Sequence, residues 1–282
     1  MPLVFVLIWS TGFIVARFGM PYAPPMTFLV WRFAFSLACF ALWIAWSRPA
    51  WPQSPMQFIH LGVTGVLMHT GYLGGVWAAV KMGMGAALVA LIMAFQPIIT
   101  AIWVSARGGH VSPRQWFGLL LGFSGLSMVV HARMSSPGEV TWMTGALALT
   151  ALLSITVGTL YQKRFVQSCD VRTANTVQLM AALVVGLPIA LMEAEPMVWA
   201  PAAMGAMAWS VLALTLGGSS LMYMLIQRGA VTAVASLLYL VPPCTAIMAW
   251  LLFGEVMNMQ IGLGVILTAV GVFCVVKARP MA

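Results

Sequence analysis

The chain has little charge and very little of it is acidic. Only 6% of its 282 residues are charged, 13 of them Lys or Arg and 5 Asp or Glu, where a soluble domain carries roughly 25%. That is too little polar side chain to coat a water-soluble globule. Cysteine is sparse too: Cys39, Cys169, Cys244 and Cys274 stand far apart with no CxxC spacing. A disulfide framework or metal site is therefore not expected. GxSxG, HExxH and the phosphate-binding loop are all missing, so the common hydrolytic, metalloprotease and ATP-driven chemistries lack their residues. No basic stretch precedes the first apolar run, so a cleavable leader is not expected.

What remains is apolar. Hydrophobic residues make up 62% of the chain, gathered into ten long segments near 3–19, 27–46, 58–79, 86–105, 114–132, 142–161, 173–192, 203–226, 232–253 and 260–277. A helix needs about 20 apolar residues to cross a hydrocarbon layer roughly 30 Å thick. Lipid offers no partners to backbone polar groups, so such runs are expected to be helices. They are too long and unbroken for barrel strands. The links carry turn and charge signals such as Arg48-Pro49, Arg107-Gly108-Gly109 and Glu195-Pro196; the shortest, at 80–85, nearly merges two spans. The expected fold is all-α integral membrane, with ten transmembrane helices.

The cations orient these spans. Arg48, Arg107, Arg114, Lys163, Arg164, Arg172, Arg228, Lys277 and Arg279 fall on the side that holds both termini; Arg17, Lys81 and Arg133 fall on the other. Positive charge collects in the cytoplasm, so both termini are expected there, in a bacterial-type inner membrane. The net charge of +8 is dispersed singly between apolar runs, which argues against a nucleic-acid partner.

Sliding the chain by 146 residues superimposes it on itself: Pro97 meets Pro243, Gly71 meets Gly217, Gly118 meets Gly264 and Gly125 meets Gly271. The expected units are 1–134 and 141–280. Five spans is an odd number, so the second unit must enter the membrane upside down. Inverted repeats place a site near the midplane between the halves and let them rock around it.

The chain resembles the drug/metabolite transporter superfamily in its EamA-type ten-helix branch. The resemblance is carried by Trp9-Ser10, Pro97, Pro243, the run Phe253-Gly254-Glu255 before Gln260, and the spaced glycines Gly118, Gly125, Gly264 and Gly271. It implies a secondary transporter, similar to the amino-acid exporters of that superfamily, and no enzyme. The family pattern has an acid at the end of both repeats; here Glu255 has Gly109 as its mate.

A polar side chain at membrane depth needs a partner or a cavity, so each is a candidate. The expected substrate-binding set is Ser10, His69, Tyr72, Trp77, Gln96, Thr156, Thr215, Ser219, Tyr223 and Tyr239. Ser10 pairs with Thr156, His69 with Thr215 and Trp77 with Tyr223 through the repeat. Ser and Thr can instead bond back to their own helix, and Trp77 and Tyr223 can be interfacial anchors. Pro97 and Pro243 each remove a backbone donor and are expected to kink their spans, as gates or as static bends. Gly71 with Gly75, and Gly118 with Gly122, predict close helix contacts. Arg32 lies about one turn inside the second span, where its stem can reach the outer interface; a gate or anion contact is the alternative. His69 is then the one ionisable group deep in the core, with no central acid, Lys or Arg.

Such a cavity suits a neutral or zwitterionic solute with an apolar part, such as an amino acid. The expected function is secondary transport, directed outward, by a chain that needs no cofactor, has the lipid bilayer and a small molecule as partners, and works as a monomer. A multidrug or other metabolite exporter is the alternative on the same scaffold. An intramembrane enzyme would need a second reactive group near His69, and a receptor would need a soluble output domain.

Overall fold

The structure, a computed structural model, describes residues 2–106, 108, 112–133, 139–218, 221, 240–255 and 257–277. These fold into α1 (Pro2–Gly19), α2 (Pro25–Ser47), α3 (Pro55–Gly65), α4 (Gly74–Lys81), α5 (Ala86–Met93), α6 (Gln96–Ala106), α7 (Pro113–Arg133), α8 (Trp142–Phe165), α9 (Val171–Leu191), α10 (Pro201–Trp209), α11 (Val241–Phe253) and α12 (Met259–Lys277). A π-helical segment, Val66–Leu73, joins α3 to α4 without a break, and a second, Ser210–Gly218, continues α10. No strand occurs among the described residues.

Among the described residues five helical stretches are long and apolar enough to cross a bilayer, and α1, α5 with α6, α11 and α12 supply shorter apolar ones. Large apolar side chains such as Leu42, Trp46, Leu120 and Leu251 face outward, where only lipid would accept so many of them. The chain is a multi-pass membrane protein.

The sparse charges are spent on helix ends. Glu193 accepts from the backbone N–H of Met26 (2.9 Å) and Thr27 (2.7 Å) in the first turn of α2. Glu255 accepts from Ala86 N–H (2.8 Å) and Glu139 from Gly85 N–H (3.2 Å) at the start of α5. Carboxylates belong there because the first N–H groups of a helix have no internal partner and carry partial positive charge. At the start of α9, Asp170 accepts from Arg172, whose guanidinium holds that carboxyl below its usual range.

These contacts also sort the links. Lys81 pairs with Glu195 (2.6 Å) and Val198 N–H donates to Tyr22 O (2.7 Å), so the links 20–24, 82–85, 192–200 and 254–255 share one end of the bundle. At the opposite end Gln57 donates to Gln167 O (2.8 Å) and Thr173 to Ala50 O (3.2 Å), which brings 48–54 and 166–170 together. The near-merged link at 80–85 is a true turn. Gly83 takes φ 101°, a conformation that glycine alone adopts without strain.

The α7–α12 contact runs antiparallel through reciprocal glycines. A Cβ on Gly264 would meet Gly125 O at 2.7 Å, and one on Gly271 would meet Gly118 O at 2.6 Å. Further along, Gln260 donates to Met128 O (3.2 Å). Residues later in α7 therefore meet residues earlier in α12. Elsewhere the halves exchange partners: α1 packs on α10 and α11, and α8 packs on α3, α4, α5 and α6. Gly71 and Gly75 lie tight against Ser154 and Ala151 of α8, the close contact their spacing predicts.

Candidate functional site

The polar centre forms where α2 and α9 meet the two π segments, and its principal member is Arg32. Contrary to the sequence expectation, this side chain does not run out to the interface. It is 8% exposed, and its Nε and one terminal nitrogen, Nη2, both donate to Thr215 Oγ1 at 3.2 Å. The inference that the core holds no arginine is thereby corrected. Thr215 lies about four helical turns from the start of α10 by the 1.5 Å rise, and reaching it draws the guanidinium inward. Thr215 in turn donates its one proton to Ser210 O (2.9 Å).

His69 and Tyr72 lie on the π segment that packs against α2 and α9. Phe33 stands edge-on to the imidazole with centroids 5.9 Å apart, and the backbone of Gln178 of α9 lies against Gly65, one turn before His69. The 146-residue offset carries Arg32 onto Gln178 and His69 onto Thr215.

Satisfaction is incomplete here and nearly complete elsewhere. Among the described residues, the buried side-chain polar atoms without a hydrogen-bond partner are Ser36 Oγ, His69 Nε2 and Ser210 Oγ. Ser36 is one turn beyond Arg32 on the same face of α2, and Ser210 lies under Thr215. Among the described residues Arg32 itself has no carboxylate partner, and its Nη1 no acceptor. An arginine at the centre of a membrane helix costs about 3 kcal/mol on insertion scales, and orphaned buried polar groups are rare enough to need an explanation. The wide turns of the π segments, rare outside functional sites, hold His69, Tyr72, Ser210 and Thr215.

The structure places the other expected residues as follows. Ser10 is buried but donates to Val6 O (2.7 Å), and α11 bonds back to its carbonyl through Thr245. Thr156 donates to Leu152 O (2.6 Å). Both hydroxyls are spent on backbone. Trp77 is 1% exposed and stacks on Phe28 at 4.6 Å, so it is core packing, neither at the interface nor beside Arg32. Gln96 donates to the exposed Thr159 (3.0 Å). Pro97 stands in the first turn of α6, after a break at Ala94-Phe95, and Pro243 in the first turn of α11. Ser219, Tyr223 and Tyr239 lie outside the described residues. Two clefts of about 310 and 320 Å³ open elsewhere, one between α1 and α10 and one beside Glu193; neither is lined by Arg32, His69 or Thr215.

Arg32 and Gln178 are what sequence reading missed. The signal was present: a polar residue, Gln178, stands at the repeat position of Arg32, and two polar mates at one depth point to a shared polar layer.

This arrangement can be set beside known proteins. The model of the EamA-like transporter family matches over residues 1–131 and 142–277. An uncharacterized transporter of Archaeoglobus fulgidus is 23% identical over 95% of this chain and 93% of its own. A Salmonella typhimurium protein named "Probable amino-acid metabolite efflux pump" is 26% identical over 67% of this chain and 61% of its own. One solved crystal structure shares the fold, with a TM-score of 0.68 at 16% identity over 97% of this chain and 95% of that one. The family and these named relatives are transporters, so the chain is a transporter and not an enzyme. With the family matched across nearly its whole length, the chain belongs to the EamA-like transporter family.

Proposed function

We propose that the chain is a secondary transporter that exports amino acids or similar small zwitterionic metabolites by alternating access between two inverted five-helix halves, 1–134 and 141–280. The observation that carries this reading is the buried polar contact Arg32·Thr215 between α2 and the second π segment, whose mates at the 146-residue offset, Gln178 and His69, are also polar and lie on α9 and the first π segment. Supporting it, the reciprocal glycines Gly118·Gly271 and Gly125·Gly264 have the exchange pattern of a two-fold axis, as an isologous contact requires. The efflux relative adds support for the substrate class.

In this reading the site comprises Arg32, His69, Tyr72, Gln178 and Thr215, with Ser219, Tyr223 and Tyr239 as further candidates. Ser10, whose carbonyl accepts from Thr245, joins α1 to α11, Thr156 is bonded within α8, and Pro97 and Pro243 at the starts of α6 and α11 are the proposed hinges. The chain sits in a bacterial-type inner membrane, termini inside, and acts as a monomer. Purified protein in liposomes should move labelled amino acids down or against a gradient, with a pH gradient altering the rate if protons are coupled. Flux of lipophilic cations uncontested by amino acids would favour a multidrug exporter. No flux across a broad panel of solutes would refute transport by this chain alone.

A further inference from the structure

Among the described residues with a buried charge, Arg32 is the exception. Glu139 and Glu255 are met by the N–H groups that open α5, and at the bundle ends Glu193 is met by those of α2, Lys81 by Glu195 and Asp170 by Arg172. Arg32 has one hydroxyl shared between two nitrogens. A guanidinium carries five N–H donors in a planar fork whose edge matches a carboxylate. Here Nη2 has a second proton to give, and no acceptor for Nη1 is found among the described residues. The same polar layer holds Ser36, one turn on along α2, and Ser210, whose carbonyl accepts from Thr215; both residues are 0% exposed and their hydroxyls are orphaned, as is Nε2 of His69 on the other π segment. Each can donate to an oxygen.

We infer that Arg32, with Ser36, Ser210 and His69, forms the carboxylate-binding half of the substrate site. The claim rests on the transport reading and narrows it: the transported class must carry a carboxylate. An anion in this place would close the guanidinium fork, pair the buried cation, and satisfy hydroxyls that otherwise stay unbonded. The elements that carry the neutral mates, Gln178 and His69, offer the amide oxygen of Gln178 and the phenol oxygen of Tyr72 as acceptors, so an ammonium group at the other end of a zwitterion has partners there. A simple lipophilic cation would be repelled by Arg32.

The test is a binding measurement on the full-length protein in nanodiscs, independent of flux. L-leucine and L-phenylalanine are compared with their amides, with the corresponding amines lacking the carboxylate, and with the corresponding acids lacking the ammonium, by calorimetry and thermal shift. A hydrogen-bonded charge pair contributes about 1.5–3 kcal/mol, so amino acids should bind about 10- to 100-fold tighter than their amides, and amines should bind weakest. Arg32→Gln should collapse that acid-to-amide ratio to near one, and Arg32→Lys should keep part of it. A merely structural arginine would lower thermal stability in Arg32→Gln and leave the ratio where it was. Equal binding of acid and amide by the unaltered protein, or no carboxylate binding better than its amide, overturns the proposal. Preference for carboxylates without flux would leave this site standing and sink the transport reading; flux without preference would do the reverse.

Discussion

The two π segments are the same device carrying different chemistry. Val66–Leu73 and Ser210–Gly218 occupy equivalent places in the two halves, and each widens a helix at one point in the bundle. The first carries His69, with an orphaned Nε2; the second carries Thr215, which accepts from cationic Arg32. In the proposed reading, two inverted halves supply a symmetric frame, and the difference between these positions lets the site tell one end of a solute from the other.

The sharpest way to break the comparison is to make the halves alike. Gln178→Arg places a second guanidinium opposite the first. Two like charges that close repel by several kcal/mol at the dielectric of a protein interior, so flux should fall at least about 100-fold. The exchange Arg32→Gln with Gln178→Arg moves the charge to the equivalent position and should recover flux to within about tenfold of the unaltered protein. A double variant as dead as the single one would contradict the equivalence of the two pairs.

A smaller effect separates tight from open glycines on one helix. Gly264→Ala would drive a methyl against Gly125 O, and overpacking of this kind costs about 1–3 kcal/mol. Gly262→Ala meets nothing within 4 Å and should stabilise α12 by about 0.5–1 kcal/mol. Thermal unfolding in detergent should order them as 262 above unaltered above 264.

Smaller still is the contrast between hydroxyls. Thr215→Val removes the acceptor of Arg32 found among the described residues and should cost about 2 kcal/mol. Thr156→Val removes a bond to its own helix and should cost less than about 1 kcal/mol. Gln96→Ala, which loses a bond to an exposed threonine, should change stability by less than about 0.5 kcal/mol and leave flux within twofold.

The spans were legible because bilayer thickness dictates their length, and α2, α7, α8 and α9 begin and end within a few residues of the apolar runs. The close glycine contacts of α7 and α12 were legible because only small residues let backbones touch. The π segments were not, since a widened turn leaves no mark in apolar periodicity. Arg32 was misjudged for a physical reason. A long flexible stem near a helix end can reach water or a buried acceptor, and its destination depends on Thr215, a residue 183 positions away. Ser10 and Thr156 illustrate the opposite trap: a hydroxyl at membrane depth can be fully satisfied by the carbonyl one turn back.

The central claim is that the two halves are one unit used twice in opposite orientations around the Arg32 cluster. It is tested most directly by sided labelling of single cysteines at equivalent positions, Arg48→Cys and Ala194→Cys, in a background with the four native cysteines replaced. The account predicts that a membrane-impermeant thiol reagent reaches Ala194→Cys from outside intact cells and reaches Arg48→Cys only after the membrane is opened. Labelling of both from the same face would contradict it.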